Sequence, residues 1–304
     1  MLASSSEVSI PVLNFLHNTL GIDLLSVITN PDKATGRGQA LAANHVAQWC
    51  EEFKVAVEKP ADHSELLKFI EEIKADLLIT VAYGHILKEE VLTKPKFGAI
   101  NLHYSLLPAY RGAAPVQWAI LNGEKVTGVS VFKLDAGMDT GPIYLQKKQE
   151  ISPEDSTLDL LTKLNSLGVE LIGETLKLIE AGKSPTAQSD LGISYAPKFM
   201  KADGAVDWHK SAEEIFNQFK ALSDNPGVFT TYTSLKIRLN QLSIADPESK
   251  SLSPGDFSNS GGNLIVGTAK GSILVSQLTP EGRKIMSGID FYNGLQDKKV
   301  NHFG

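Results

Sequence analysis

The sequence predicts an α/β protein of two domains: a mostly parallel sheet with helices on both faces, then a small antiparallel β-barrel or sandwich. Three observations carry this. Short continuous apolar runs recur through the first half with helix-like stretches between them, the pattern of strands buried on both faces. After Pro226-Gly227 the pattern changes to short strands punctuated by Gly and Pro. The length, 304 residues, exceeds one average domain and suits two.

Leu24–Thr29 (LLSVIT) opens the series of candidate strands. A polar loop runs from Asn30 to about Gln39, and a helical stretch follows through Cys50. Leu66, Phe69, Ile70 and Ile73 recur at helical spacing, and Leu77–Ala82 (LLITVA) reads as a buried strand. Ala99–His103 and Val129–Leu134 are further strands, with helix-compatible sequence at Ala114–Leu121 between them. A long helix suits Ser156–Ala181, with Leu158, Leu161, Leu164, Leu171, Leu176 and Ile179 as its apolar residues. Ser156 and Asp159 resemble a capping box there, and Gly182 stands where the helix stops. Residues 183–205, rich in Ser, Pro, Lys and Asp, read as a linker between domains at 1–182 and 206–304. In the second domain a helix fits Ala212–Leu222, and strands fit Phe229–Tyr232, Leu235–Leu242, Leu264–Val266 and Ile273–Leu278.

Composition narrows the function classes. Hydrophobic residues at 42% and charged residues at 21% are ordinary for a protein with a real core. A net charge of −6 argues against a surface coated in basic charge for bulk nucleic-acid binding and leaves room for a local basic loop. From Val206 onward ten Lys and Arg balance ten Asp and Glu. Composition therefore leaves the second domain open between an RNA-binding barrel and a neutral appendage. Cys50 is the only cysteine, so a reducing cytosol is the expected setting. The seven histidines show no ligand spacing such as H-E-x-x-H. Residues 1–16 lack the basic-then-apolar order of a signal peptide. The longest apolar run, Ala75–Leu87, is interrupted by Asp76, Gly84 and His85 and is too short to span a bilayer. A soluble cytoplasmic protein is the expectation.

Chemistry concentrates at Asn101-Leu102-His103, ahead of Tyr104-Ser105-Leu106-Leu107-Pro108. Two positions apart at a strand end, Asn101 and His103 leave the sheet on one face. An amide donor beside an imidazole at the carboxyl end of a parallel strand sits where open α/β sheets bind ligands. The pair suits a developing oxyanion and a mobile proton; the alternative is a hydrogen-bonded strand-end pair without chemistry. Asp135–Pro142 (DAGMDTGP) follows another strand, and from it Asp139 can reach His103, fixing its tautomer and favouring its charged form. The alternative is an ordinary turn. The triplet Asp139-Thr140-Gly141 also matches aspartic proteases, which need two facing copies; the chain has one. Tyr110–Pro115 (YRGAAP) offers Arg111 to an anion, or is a helix start with a surface arginine. Val81–Leu87 (VAYGHIL) is a strand-to-turn junction whose free backbone groups suit a flat polar heterocycle. The strand ends near Val81, His103 and Leu134 are expected to share one rim of a parallel sheet.

Ala99–Gly141, with NLHYSLLPAYRGAAPVQWAILNGE and TGVSVFKLDAGMDTGP, resembles the most diagnostic region of the methionyl-tRNA formyltransferases. Ser105–Pro108 after Asn and His is shared by the wider folate-dependent formyltransferases. Thr29–Gln39 (TNPDKATGRGQ) is similar to that family's inserted loop toward the tRNA acceptor end. Ser194–Trp208 is similar to its linker and second-domain start, and Glu281–Gly294 to its final segment, so the likeness covers nearly the whole chain. It implies a Rossmann-like catalytic domain and an OB-like C-terminal tRNA-binding barrel. It implies Asn101, His103 and Asp139 as the catalytic trio. Around the folate it implies Tyr83, Gly84, His85, Ile86, Leu87, Ser105, Leu106, Leu107, Pro108 and Asp135; near the tRNA, Arg37, Lys33 and Arg111. The implied reaction moves a formyl group from 10-formyltetrahydrofolate to the α-amine of methionyl-initiator tRNA for translation initiation, and no metal is expected; a monomer is the default expectation. In that chemistry Asn101 and a protonated His103 donate to the tetrahedral oxyanion, and Asp139 holds His103 and, through water, moves the amine's surplus proton.

Three places depart from the family pattern. Only Met1-Leu2-Ala3 precede Ser4-Ser5-Ser6 where the family has an apolar strand and a Gly-Thr-Pro-like turn. The expectation is either a short first strand that weakens the central sheet and, to a lesser degree, the donor site, or a start site placed a few residues late. Gln39-Ala40 stand where lysines often follow G-R-G, and Asp224–Gly227 lacks the usual nearby aromatic. Among rivals, a formyltransferase for an amino sugar nucleotide shares the two-domain plan, but the GRG loop and R-G-A-A-P…Q favour the tRNA enzyme. A glycinamide ribonucleotide formyltransferase normally lacks the second domain. A catalytically silent tRNA- or folate-binding protein has no need of the trio, and a nicotinamide enzyme needs the G-x-G-x-x-G this chain lacks.

Overall fold

The computed structural model describes residues 1–35, 40–246, 252–295 and 301–304. They group into two compact units: Met1–Val116 with Lys125–Ile151 and Leu158–Pro197, and Gln117–Glu124 with Ser152–Thr157 and Lys198–Gly304. Among the described residues, no helix is long and apolar enough to cross a membrane.

In chain order the first unit contains β1 (Leu2–Ala3), α1 (Ile10–Asn18), β2 (Val27–Ile28), β3 (Lys33–Thr35), β4 (Ala40–Ala42), α2 (His45–Phe53), β5 (Val57–Glu58) and α3 (His63–Ile73). It continues with β6 (Leu78–Val81), α4 (Glu89–Leu92), β7 (Ala99–His103), the start of α5 (Pro115–Leu121), β8 (Val126–Lys133), β9 (Ile143–Glu150) and nearly all of α6 (Thr157–Glu180). Seven strands form one sheet in the order β5-β2-β1-β6-β7-β8-β9, parallel from β5 to β7. The expected mostly parallel sheet is therefore present.

The expected single rim is not. β8 runs antiparallel to β7, with Ile100 opposite Lys133 and His103 opposite Ser130. The carboxyl end of β8 thus lies beside the start of β7, not beside His103. An apolar run carries no direction; its pairing partner decides it. The short first strand lies in the middle of the sheet: Leu2 pairs with Val27 and Ile79, Ala3 with Ile28 and Thr80, and both are buried. Ladders on both sides satisfy its backbone, and burying a leucine side chain such as Leu2 contributes about 2 kcal/mol. Ala40–Ala42 pairs with β3 instead of starting a helix. The helix begins at His45 because the Asn44 side chain caps it, accepting from Ala47 N at 3.0 Å.

The second unit holds α7 (Ala212–Leu222), β10 (Val228–Tyr232), β11 (Leu235–Ile244), β12 (Phe257–Ser260), β13 (Asn263–Gly267), β14 (Ser272–Pro280), β15 (Met286–Ser287) and α8 (Gly288–Asn293). Ser211 and Glu214 form a capping box at the start of α7, which buries Ile215, Phe216 and Leu222. The antiparallel sheet runs β10-β11-β14-β13-β12, with β15 against β14. Residues 301–304 bridge its two edges: Asn301 O accepts from Phe257 N in β12, and Gly304 N donates to Thr231 O in β10. Phe303, fully buried, packs 4.4 Å from the Phe257 ring centroid, so the bridge also plugs the core.

Candidate active site

β6 and β7 lie side by side, with Thr80 opposite Asn101. The Thr80 hydroxyl donates to Asn101 Oδ1 at 2.7 Å. With its oxygen engaged, Asn101 presents its amide NH2 to the adjoining cavity as a donor. Alternation along β7 puts His103 on the same face, and it is 5% exposed. Its Nε2 lies 2.9 Å from the carbonyl oxygen of Tyr110. A carbonyl only accepts, so Nε2 carries a proton and Nδ1 is the nitrogen left for chemistry.

Asp139 Oδ2 stands 3.7 Å from that Nδ1, an ion-pair distance beyond hydrogen-bond range. The same oxygen instead accepts from Gly112 N at 2.8 Å. The tautomer of His103 is therefore set by Tyr110, not by Asp139 as the sequence reading expected. Burial pushes the His103 imidazole below its ordinary pKa, against the opposing influences of the Asp139 charge and the Tyr110 carbonyl. The lowered pKa favours the neutral form with a lone pair on Nδ1, a proton acceptor where the sequence reading has a protonated donor.

Because β8 ends beside the start of β7, the loop after it has to return along β7 to bring Asp139 to His103. Its conformation is tightly determined. Asp135 Oδ1 accepts from Gly137 N at 3.1 Å and Thr140 Oγ1 at 2.7 Å. The Gln188 side-chain NH2 donates to Asp139 O and Gly141 O, each at 2.8 Å. Gly141 has no room for a side chain: a Cβ there stands 1.8 Å from Lys133 O. Ala82, Tyr110 and Asp139 all have left-handed backbones, with φ of 46°, 58° and 54°. Such residues cost about 1–3 kcal/mol each and persist where their surroundings impose them, often at functional sites.

The cavity these groups face has a volume of about 390 Å³. Tyr83, Gly84, His85, Ile86, Leu87 and Asp135 line it together with Asn101, His103 and Asp139, so most of the expected donor-site residues meet the trio. Ser105–Pro108 do not line it. Ser105 and Leu107 are buried, and this turn is pinned by Leu107 N donating to Ser130 Oγ and by Gln146 donating to Leu107 O. Arg111 is 7% exposed, and its guanidinium donates to Gln188 Oε1 at 2.7 and 3.3 Å, so it is not the surface arginine of the sequence reading. Lys33 is exposed on β3, and Arg37 lies outside the described residues. A larger depression of about 720 Å³ adjoins the cavity through Leu92, Leu134 and Asp135 but contains none of the trio. Among the described residues, no group of three or more His, Cys, Asp or Glu is placed to hold a metal.

Sequence reasoning missed Thr80, the Tyr110 carbonyl and Gln188. Thr80 had a signal, being the one hydroxyl inside the apolar run LLITVA. Gln188 had none.

An amide donor, an imidazole and a carboxylate around one apolar-walled cavity, on a sheet followed by a second β unit, suit an α/β enzyme that transfers an acyl-type group. The chain belongs to the formyl transferase family: the formyl transferase profile matches residues 4–176, and the formyl transferase C-terminal domain matches residues 198–296. It is 38% identical over 298 residues to the methionyl-tRNA formyltransferase of Thermodesulfovibrio yellowstonii, covering 97% of this chain and 94% of that one. Among solved structures it is similar in fold to an N-formyltransferase from Helicobacter canadensis in complex with folinic acid and dTDP-3-aminofucose. That likeness has a TM-score of 0.68 at 20% identity and covers 90% of this chain and 97% of the other. A second fold likeness is to HypX from Aquifex aeolicus in complex with tetrahydrofolic acid, at TM-score 0.63 and 18% identity. There 88% of this chain is covered, and it spans about half of HypX, 47%.

Proposed function

We propose that this protein is a methionyl-tRNA formyltransferase, which moves the formyl group of 10-formyltetrahydrofolate onto the α-amine of methionyl-initiator tRNA. The observation that carries the reading is the placement of Asn101, His103 and Asp139 around one cavity in a chain 38% identical, nearly end to end, to a protein of that name. Tyr83–Leu87, Leu92, Leu134 and Met138 offer the apolar walls and backbone groups that a flat reduced heterocycle takes.

In the proposed mechanism the neutral amine attacks the formyl carbon and a C–N bond forms. The carbonyl oxygen becomes an oxyanion, and the Asn101 NH2 donates to it; one such donor is typically worth about 3 kcal/mol. His103 Nδ1 takes the surplus proton of the former amine. The imidazolium so formed is stabilised by Asp139 at 3.7 Å. Collapse breaks the bond between the formyl carbon and N10, and the proton passes to N10. No step needs a metal.

The reading places catalysis in residues 1–182, a linker at 183–205 and tRNA binding in the barrel of 206–304, with Lys33 and Arg37 meeting the acceptor end. It makes the protein a cytoplasmic monomer. The test is incubation of the purified protein with 10-formyltetrahydrofolate and methionyl-initiator tRNA. Appearance of N-formylmethionyl-tRNA, abolished in His103→Ala and Asn101→Ala, is the expected outcome. A folded protein that leaves the tRNA untouched and formylates an amino sugar nucleotide overturns it.

A further inference from the structure

Arg111 was singled out as an anion contact, and its burial leaves that role empty. Its guanidinium meets Gln188, and the Gln188 amide is fully engaged. Oε1 accepts from Arg111 Nη2 and Nε, while Nε2 donates to the carbonyls of Asp139 and Gly141. The arginine removes the ambiguity of an amide: with Oε1 held by a donor-only fork, the NH2 has to face the loop. Both ends of the arrangement are anchored in backbone. Arg111 pairs with the segment beyond Gln188 through Arg111 N to Ser194 O at 2.9 Å and Ala196 N to Arg111 O at 2.7 Å. On the near side, Ile143 and Thr186 exchange bonds of 2.7 and 2.8 Å at the start of β9. Gln188 is thus suspended between two isolated backbone bridges, with its NH2 on the carbonyls either side of Thr140.

We propose that Arg111 and Gln188 are a positioning pair: the guanidinium orients the Gln188 amide, whose NH2 holds the Asp139–Gly141 backbone so that the Asp139 carboxylate faces His103 Nδ1. Asp139 sits in a left-handed conformation that residues other than glycine seldom adopt, and the Gln188 donors hold its backbone there together with the Asp135 bonds inside the loop. Loss of the two donors releases that backbone and lets the carboxylate leave both Gly112 N and His103. The inference rests on the formyl-transfer reading for its kinetic arm only.

The substrate-independent test is the titration of His103 followed by NMR. The charged and titratable groups around that imidazole are Asp139, with Asp135, His85, Tyr83 and Tyr104 on the same cavity and Arg111 next to Tyr110. Asp139 raises the His103 pKa, so Asp139→Asn lowers its midpoint and supplies the reference shift. Gln188→Met keeps the side-chain length and removes both donors and the acceptor. It is expected to move the midpoint the same way, to lower kcat about 10- to 100-fold, and to leave the KM for the acceptor within about threefold. Combined with Asp139→Asn it should add little, because one interaction is lost twice. Arg111→Lys keeps the charge but not the fork, and should shift the midpoint in the same direction by less. If Gln188→Met does not fold, Gln188→Asn, whose amide is too short to reach both carbonyls, takes its place. A folded variant with the wild-type midpoint and kcat overturns the proposal, and so does a loss of thermal stability with neither of these moved. Wild-type protein inactive on methionyl-tRNA sinks the functional reading and leaves the titration test intact.

Discussion

His103 Nε2 donates to the carbonyl of Tyr110 at 2.9 Å, and this bond turns Nδ1 toward Asp139 and the cavity. A residue seven positions along the chain, held at φ +58, thereby decides which nitrogen faces the carboxylate. The carboxylate is left to act through its charge.

That division gives a pH dependence with a definite sign. Burial depresses the His103 pKa below the ordinary value, and Nδ1 accepts a proton only when the imidazole is neutral. Activity should therefore rise with pH through that lowered pKa and be lost on acidification below it. Asp139→Asn removes the charge that raises the pKa, so the acid limb of kcat/KM should move to lower pH while the rate falls about 10²-fold. A limb that stays in place in this variant contradicts the assignment.

Thr80 orients Asn101, and Thr80→Val deletes the bond while keeping the shape. A buried hydrogen bond of this kind is worth about 1 to 2 kcal/mol, so kcat should fall about 5- to 30-fold with little change in either KM. Thr80→Ser should recover most of the rate. Equal kcat in Thr80→Val and wild type would show that Asn101 needs no such support.

Gly112 has φ +121, and a Cβ there stands 2.8 Å from Ala196 O. Gly112→Ala has to shift the amide that donates to Asp139. The expected result is a destabilisation of about 1–3 kcal/mol by thermal melting. A kcat reduced about 100-fold should accompany it, since misplaced catalytic groups lose that much.

Lys33 projects from β3 with an exposed side chain. If it meets a phosphate, Lys33→Ala should raise the KM for tRNA a few-fold and reduce the slope of log affinity against log salt by about 1. The KM for 10-formyltetrahydrofolate should not move.

Much of this was legible along the chain. β7 and α7 have the bounds that apolar pattern assigns to them, because strand alternation and helix periodicity are local properties. The hairpin of β3 and β4 and the helix α1 were not legible, since a three-residue strand or a nine-residue helix is too short to separate its pattern from its neighbours.

By itself the sequence determined that Asn101 and His103 share a face, since alternation admits no other outcome for residues two apart in a strand. It determined the bounds of β7 and α7 and the motifs of the formyl transferase family. Tertiary structure alone decided that β8 runs against β7, that Tyr110 selects the His103 tautomer, and that Gln188 holds the loop of Asp139. Asp139 and Gln188 are 49 positions apart, and Asp139 and Gly112 are 27. Contacts at that separation depend on the path of the whole chain between them, and no local propensity encodes that path.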